Sequence, residues 1–341
     1  MTRWLLLPLA VIYGWVVCVR TALYENGWLS RRRLPCRVVS VGNLTTGGTG
    51  KTPVVIAIAQ QLASKGKRVA VLSRGYRRKS RDKCLLVSDG ARLLAGPDKA
   101  GDEPHLIARR CPGVVVAVGA DRYRLGTWLL KQFPVDCVLL DDGFQHLGLH
   151  RDVNILLMDV SDTTGLRGLL PFGRLREPIA AAARADAVLM TRVKPGSGHV
   201  SSELAGVSLK RRPYQVRFSA ECLVHVANGT LAETNVMRNQ HVIAVSGVGN
   251  PDSFRALLQD LDVRVEDNIR FPDHHAYGVE DLEHIRARAV RAGVSLILTT
   301  EKDACKLEAL VAENDPFWAV RLRTEWTHGR EDLERLILGT D

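Results

Sequence analysis

The run Gly47-Gly48-Thr49-Gly50-Lys51-Thr52 has the residue types that phosphate binding needs. Glycines let backbone N–H groups close around phosphate oxygens at the positive end of a following helix. The Lys51 ammonium reaches β- and γ-phosphates, and the Thr52 hydroxyl can ligate Mg²⁺. The strict Gly-x4-Gly-Lys pattern would place a glycine where this chain has Thr45, so Gly47 and Gly48 supply the freedom instead, and the loop is read as Thr45, Thr46, Gly47, Gly48, Thr49, Gly50, Lys51 and Thr52. A P-loop also needs a carboxylate at the end of a neighbouring strand to hold the metal and its waters. Cys137-Val138-Leu139-Leu140-Asp141-Asp142 offers that pattern: an apolar run followed by two acids. Paired with the P-loop it reads as the metal-binding element, and the alternative for Asp142 is a helix cap or turn.

Other polar clusters are less specific. Gly101-Asp102-Glu103-Pro104-His105 sets two acids ahead of an expected helix, as caps or as catalytic groups. Phe271-Pro272-Asp273-His274-His275-Ala276-Tyr277 reads either as a solvated turn or as an Asp–His arrangement for proton transfer. His146 and His150 are four apart but lack a third ligand, and no cysteine pair has zinc spacing. Ser246-Gly247-Val248-Gly249-Asn250-Pro251 is a second glycine turn, read first as architecture. Arg74, Arg77, Arg78, Arg81, Arg122, Arg124, Arg167, Arg174 and Arg176 gather after strand-like runs, where α/β sites collect cations for charged oxygens.

The elements that must position these groups alternate. Strand-like runs at 37–41, 68–73, 114–118, 136–140, 153–158 and 186–191 are separated by helical patterns, which predicts a mostly parallel sheet with helices on both faces. Pro195-Gly196-Ser197-Gly198 marks a break, Tyr214 to Val226 a β ribbon, and a smaller α/β run follows with strands at 241–245, 295–299 and 317–321. Trp4 to Val19 is uncharged and apolar, a little short for the ~20 residues of a spanning helix. It could be a signal peptide after the basic Thr2-Arg3 start, a core helix or a membrane anchor. No small-x-small cleavage site follows it. Trp4, Tyr13, Trp15, Trp28 and Arg31-Arg32-Arg33 favour an anchor seated against anionic headgroups.

The 341-residue length suits about two domains. With 46% hydrophobic and 25% charged residues the chain is no disordered, fibrous or disulfide-scaffold protein. Its net charge of +10 favours an anionic partner. At 6% aromatics, base stacking on single-stranded nucleic acid is disfavoured. The seven cysteines are an odd number in largely apolar runs, as for buried free thiols in a reducing compartment.

Seven motifs in order make the chain resemble the tetraacyldisaccharide 4′-kinase family of lipid A biosynthesis. They are Ser40 to Pro53, Ser73-Arg74-Gly75-Tyr76, Gly101 to Pro104, Asp141-Asp142-Gly143-Phe144-Gln145-His146, Leu175-Arg176-Glu177-Pro178, Phe271 to His275 and Thr300-Glu301-Lys302-Asp303-Ala304. The resemblance implies transfer of the ATP γ-phosphoryl to the 4′-hydroxyl of a tetraacylated glucosamine disaccharide 1-phosphate, giving lipid IVA. It implies ATP and Mg²⁺ and an acylated disaccharide phosphate substrate; no obligate protein partner is inferred. It places the enzyme on the cytoplasmic face of the bacterial inner membrane, held by its N-terminal helix. The implied fold is a P-loop α/β lobe and a smaller α/β lobe joined by a β ribbon. We therefore expect a membrane-associated helix over 1–27, a kinase lobe over 28–208, a ribbon over 209–236 and a C-terminal lobe over 237–341.

The same resemblance implies roles. Lys51 would hold phosphates, Thr52, Asp141 and Asp142 the metal and its waters, and Arg122 and Arg174 would lie near the phosphates. Asp102 would be the base toward the 4′-hydroxyl, supported by His274, with Arg176, Tyr76, Glu103 and His275 as further candidates. The principal alternative is a membrane-associated P-loop ATPase switch of the partitioning type. Those loops carry a lysine before the glycine pair, where this chain has Thr46. A GTPase would want an Asn-Lys-x-Asp base-reading motif, which Thr300-Glu301-Lys302-Asp303 does not match. No helix-turn-helix or stacking platform supports a nucleic-acid module.

Overall fold

The structure is a computed structural model describing residues 2–162, 165–193 and 207–340. The break expected at Pro195 to Gly198 lies outside the described residues.

Its spine is one 13-stranded sheet. The first lobe centres on β1 (Arg37–Asn43), flanked in parallel by β5 (Cys137–Asp141) and β6 (Val153–Asp159). Outward from β5 lie β2 (Val69–Ser73), β4 (Val115–Val118) and the antiparallel edge β3 (Leu85–Asp89). Outward from β6 lies β7 (Ala187–Thr191). The strands are apolar on both faces because helices cover both. Alternation along each strand divides the core. Val39, Val41 and Leu139 enter one cluster with helix α2 (Lys51–Ser64), while Val38, Val138 and Leu140 enter another with α5 (Arg122–Leu130).

The second lobe repeats the device. β10 (His241–Ser246) lies between β11 (Arg264–Arg270) and β12 (Leu296–Thr300), all parallel. Ile243, Val245 and Ile297 face one cluster, and Val242, Ala244 and Leu298 the other. The lobes join through a long antiparallel pair, β8 (Tyr214–His225) and β13 (Phe317–His328). β8 pairs β7 at its start, and β13 pairs β12 at its start, so hydrogen bonding runs unbroken from lobe to lobe. β9 (Leu231–Ala232) pairs β8 off this path. The closing helix α9 (Arg330–Leu338) returns to the first lobe. There Leu333 and Ile337 enter the β1 core, and the Arg37 guanidinium donates to the carbonyls of Leu336 and Ile337 at 2.7 and 2.6 Å.

The expected α/β class and parallel sheet hold. β3, β11 and the far half of β13 are additions to the sequence reading. β11, Arg-Val-Glu-Asp-Asn-Ile-Arg, is an edge strand whose exposed side hides the apolar signal.

The N-terminal helix α1 (Leu7–Glu25) follows a short 3₁₀ turn over Thr2–Leu6. Together they give an apolar helical segment Trp4–Glu25, 22 residues long, enough by length and composition to cross a bilayer. It runs beyond the uncharged stretch that ends at Val19 and stays within residues 1–27. It is no core helix: only Ala10 and Gly14 are buried, while Trp4, Leu5, Val11, Ile12 and Trp15 are exposed. All seven cysteines are free, but only Cys111, Cys137 and Cys305 are buried, and Cys18 lies exposed on α1.

Candidate active site

The candidate phosphate loop leaves the sheet where β1 ends. Gly50 takes φ +85° and Gly47 φ +116°, the left-handed region that a glycine adopts without strain. Lys51 and Thr52 then open α2. Their N–H groups precede the first intrahelical donor, the Val54 N–H that bonds the Gly50 carbonyl, and Pro53 has no N–H to satisfy. Arg174 braces the loop. Its guanidinium donates to the Thr46 carbonyl from Nε at 3.0 Å and Nη2 at 2.6 Å, while the Thr46 N–H donates to the Arg174 carbonyl at 2.8 Å. A Cβ on Gly47 would collide with that guanidinium. Thr45 and Thr49 are buried and serve the loop internally. The Thr49 hydroxyl accepts from the Asn43 amide at 2.9 Å, and the Thr49 carbonyl accepts from Thr191 Oγ1 at 3.0 Å.

Parallel pairing places Asp141 beside Val41, immediately before the loop. The Lys51 ammonium donates to Asn43 Oδ1 at 3.2 Å and lies 3.7 Å from Asp142. Asp142 sits at φ +55° and takes a bidentate contact from Arg176, at 2.8 and 2.9 Å. Burial opposes ionisation of Asp142, but Lys51, Arg176 and Arg122 outweigh it and hold the carboxyl well below its ordinary range. Its neighbour behaves in the opposite sense. Burial first, then the charges of Glu103 and Asp142, push Asp141 upward, although Ser73 Oγ donates to its Oδ2 at 2.9 Å. Asp141 Oδ1 is buried without a hydrogen-bond partner. A buried carboxylate short of positive charge, beside a second acid and the first turn of α2, fits a divalent cation. Among the described residues no group of three or more His, Cys, Asp or Glu side chains forms a self-sufficient metal site. Arg122 is buried at the start of α5. Burial lowers its basicity, the charges of Asp142 and Asp141 restore part of it, and its Nε has no partner.

Near Asp141, through Glu103, stands the second constellation. Asp102 opens helix α4 (Asp102–Arg110) in the first lobe, and His274 follows β11 in the second. His274 Nδ1 lies 3.0 Å from both Asp102 carboxylate oxygens. Helix α8 (Glu301–Leu307) adds two lysines one turn apart. Lys302 is 3.9 Å and Lys306 3.8 Å from Asp102 Oδ2. Burial raises the Asp102 carboxyl, but the hydrogen bond from His274 and the charges of Lys302, of His274 when protonated, and of Lys306 bring it down to about 2. Further ion pairs hold α4 against α8: Arg109–Glu308 and Arg110–Glu301, both at 2.6 Å. The second glycine turn also reaches the site. A Cβ on Gly249 would stand 3.0 Å from the Gly48 nitrogen and 3.1 Å from Asp273 Oδ2, so the lobes meet with no room for a side chain.

Of the two adjacent histidines, His274 meets Asp102. His275 turns away, bonding Asp281 at 2.9 Å and stacking on Phe271. Tyr76 lies against His274 with ring centroids 5.2 Å apart, and Glu103 pairs with Lys302 at 3.0 Å. Sequence reasoning gave no separate role to Asn43, Ser73, Lys302 or Lys306, and read Asp273 only as part of a possible Asp–His pair. Asn43, Ser73 and Lys302 lie within motifs already singled out, and that was the available signal. Lys306 touches the site only through tertiary contacts.

The N-terminal helix is docked on the same face of the first lobe. Tyr13 Oη donates to the Arg176 carbonyl at 2.8 Å, and Arg20 to the Gln145 carbonyl at 3.2 Å.

Comparison with known proteins places this geometry. The family model described as tetraacyldisaccharide-1-P 4′-kinase matches residues 2–340. A tetraacyldisaccharide 4′-kinase of Anaeromyxobacter sp. (strain Fw109-5) is 40% identical over 342 residues, covering 98% of this chain and 91% of that protein. That of Syntrophus aciditrophicus is 40% identical over 345 residues, covering 96% and 90%. The crystal structure of LpxK from Aquifex aeolicus in complex with ATP superposes with a TM-score of 0.80 at 35% identity, covering 99% of both chains. The phosphate loop, the paired aspartates and the two-lobed sheet thus stand in a chain that belongs to the tetraacyldisaccharide-1-P 4′-kinase family, a family of kinases.

Proposed function

We propose that the protein transfers the γ-phosphoryl group of ATP to the 4′-hydroxyl of a tetraacyldisaccharide 1-phosphate at a membrane surface. The reading rests chiefly on one observation. The Asp102–His274 pair and the Lys51–Asp142 side of the phosphate loop lie close together: the charge of Glu103, next to Asp102, raises Asp141, and Gly249 stands against both Gly48 and Asp273.

The triphosphate lies along residues 45–52, with Lys51 leaving Asn43 and Asp142 for the β/γ-phosphates. Arg174 holds the loop in shape, and Arg122 supplies a buried positive charge beside the transferring group. Thr52, Asp141 and Asp142 are the residues that would hold Mg²⁺ and its waters. When bound, the ion neutralises charge on the phosphate oxygens. Asp102 orients the attacking hydroxyl through its carboxylate. A carboxyl held near 2 is ionised at every physiological pH, yet it is a weak base toward a sugar hydroxyl. Transfer therefore comes late. As the new O–P bond forms and the bond from the γ-phosphorus to the β-phosphate oxygen breaks, the hydroxyl proton becomes acidic and passes to Asp102. ADP leaves with the electron pair of the broken bond.

The exposed apolar face of α1 and the arginines following it suit a bilayer with anionic headgroups, where the acylated substrate resides. A cytoplasmic-face location follows from the use of ATP.

The test is radiolabel transfer in detergent, with γ-labelled ATP, Mg²⁺ and tetraacyldisaccharide 1-phosphate, followed by thin-layer separation. Label should enter a bisphosphorylated lipid and be lost with Lys51→Ala. Lipid-stimulated release of free phosphate without labelled lipid would instead support an ATPase switch.

A further inference from the structure

Lys302 stands where the two lobes and the Asp102–His274 pair converge. Its ammonium group has three N–H donors and no lone pair. Three acceptors surround it: Glu103 Oε1 at 3.0 Å on α4, Asp273 Oδ1 at 3.4 Å, and His274 Nε2 at 3.2 Å. The Lys302 side chain is only 17% exposed, so these contacts are made largely out of water.

The third contact carries a consequence. An ammonium group can only donate, so His274 Nε2 must present its lone pair. The imidazole is then neutral, and its one proton sits on Nδ1, 3.0 Å from both oxygens of Asp102. The other acceptor that could draw a proton onto Nε2 is Asp273 Oδ2. At 3.8 Å it is beyond hydrogen-bond distance, and the rest of that carboxylate is engaged by Lys302 itself.

We infer that Lys302 is a positioning residue of this active site, fixing His274 as the Nδ1–H tautomer aimed at Asp102 while pinning α4 of the first lobe to the second. The inference rests on the reading of Asp102 as the group that receives the hydroxyl proton. The Nδ1–H bond holds the Asp102 carboxylate in place and leaves an oxygen lone pair for the substrate. An imidazolium in the same position would compete for that carboxylate as a stronger donor and make it a poorer proton acceptor. The remaining charged or ring groups around the pair are Lys306 on α8, Tyr76, and Arg77, whose guanidinium donates to the Asp273 carbonyl at 2.8 Å. None of them contacts Nε2.

The experiment is ¹⁵N NMR of the full-length protein in detergent with labelled histidine. His274 would be assigned by the signals lost in His274→Asn. The expected wild-type spectrum shows a protonated Nδ1 and an unprotonated Nε2 at neutral pH. In Lys302→Met, Nε2 should gain a proton toward Asp273. The kcat should fall by about tenfold to a hundredfold, no more than the loss of a general base itself costs. KM for ATP should stay within about twofold, since substrate contacts are untouched. Lys302→Arg, which keeps the charge and the donors, should keep the wild-type tautomer. A wild-type Nε2–H tautomer, or an unchanged tautomer in Lys302→Met, overturns the inference. If Lys302→Met does not fold, the wild-type and Lys302→Arg spectra decide. A near-wild-type rate for Asp102→Asn would refute the base assignment alone, because the tautomer is read without turnover.

Discussion

Replacing Asp102 with asparagine preserves the shape of the side chain and removes its charge. The position is buried, 5% exposed, so the consequences can be worked through its neighbours. Two lysines lose one counter-charge, but neither is stranded. Lys302 keeps Glu103 at 3.0 Å and Asp273 at 3.4 Å, and Lys306 keeps Asp303 at 3.2 Å. Asp102→Asn should therefore fold, unlike a change that leaves a buried ion unpaired. Turnover should fall by about 10²- to 10⁴-fold, the usual worth of a positioned base, or about 3–5 kcal/mol of activation free energy. ATP affinity should hold, because the polar partners of Asp102 are His274, Lys302, Lys306 and the Glu103 N–H, with none in the phosphate loop. The assay is labelled-phosphoryl transfer to the lipid alongside equilibrium ATP binding. A near-wild-type rate would remove Asp102 as base, and a parallel loss of ATP binding would mean that the variant disturbs the loop. Stability offers an independent check. The folded carboxyl lies at about 2 against an ordinary 3.8, a difference worth on the order of 2 kcal/mol. The folded value is the lower one, so this stabilisation is present above about pH 4 and lost as pH falls through 2. Acid unfolding of Asp102→Asn should lack that component.

Asp141→Asn should stabilise the metal-free protein at neutral pH, on the order of 1–2 kcal/mol. The carboxyl is raised above its unfolded value by burial, Glu103 and Asp142, so ionising it opposes folding. Thermal unfolding should show Mg²⁺-ATP stabilising the wild type and hardly stabilising the variant, and equal responses would argue against a metal role for Asp141. Removing residues 1–27 should release the protein from anionic vesicles in sedimentation while ATP binding persists. It also deletes the Tyr13 and Arg20 hydrogen bonds to the carbonyls of Arg176 and Gln145, each worth about 1 kcal/mol. Unchanged sedimentation would show that other surfaces hold the membrane.

The phosphate loop and the strand bearing Asp141 and Asp142 were legible because their signals are local. A glycine-rich turn between strand and helix needs particular residues within one short stretch, and an apolar run ending in two acids is contiguous. The central strands were legible for a related reason: they are covered on both faces, so they read as unbroken apolar runs. β11 is charged and lies at the sheet edge, and the far half of β13 gains its identity only by pairing with β8, so neither carried such a signal. The N-terminal helix was recognised from its apolar run, and its backbone hydrogen bonding continues past Arg20 to Glu25, inside the expected span 1–27.

What the sequence alone determined is the proposed nucleotide half of the site, since the covalent neighbours of Lys51 and Thr52 specify the backbone that surrounds them. What the tertiary structure decided is the proposed proton-handling half. Asp102 and His274 are 172 residues apart, and the choice of His274 over His275 depends on a turn that sends adjacent rings to opposite sides. Lys302, on a third element, joins them only because the β8–β13 pair brings the second lobe over the first. Chemistry within one turn of chain is written in residue order. Chemistry between lobes depends on packing, which residue order specifies only through the whole fold.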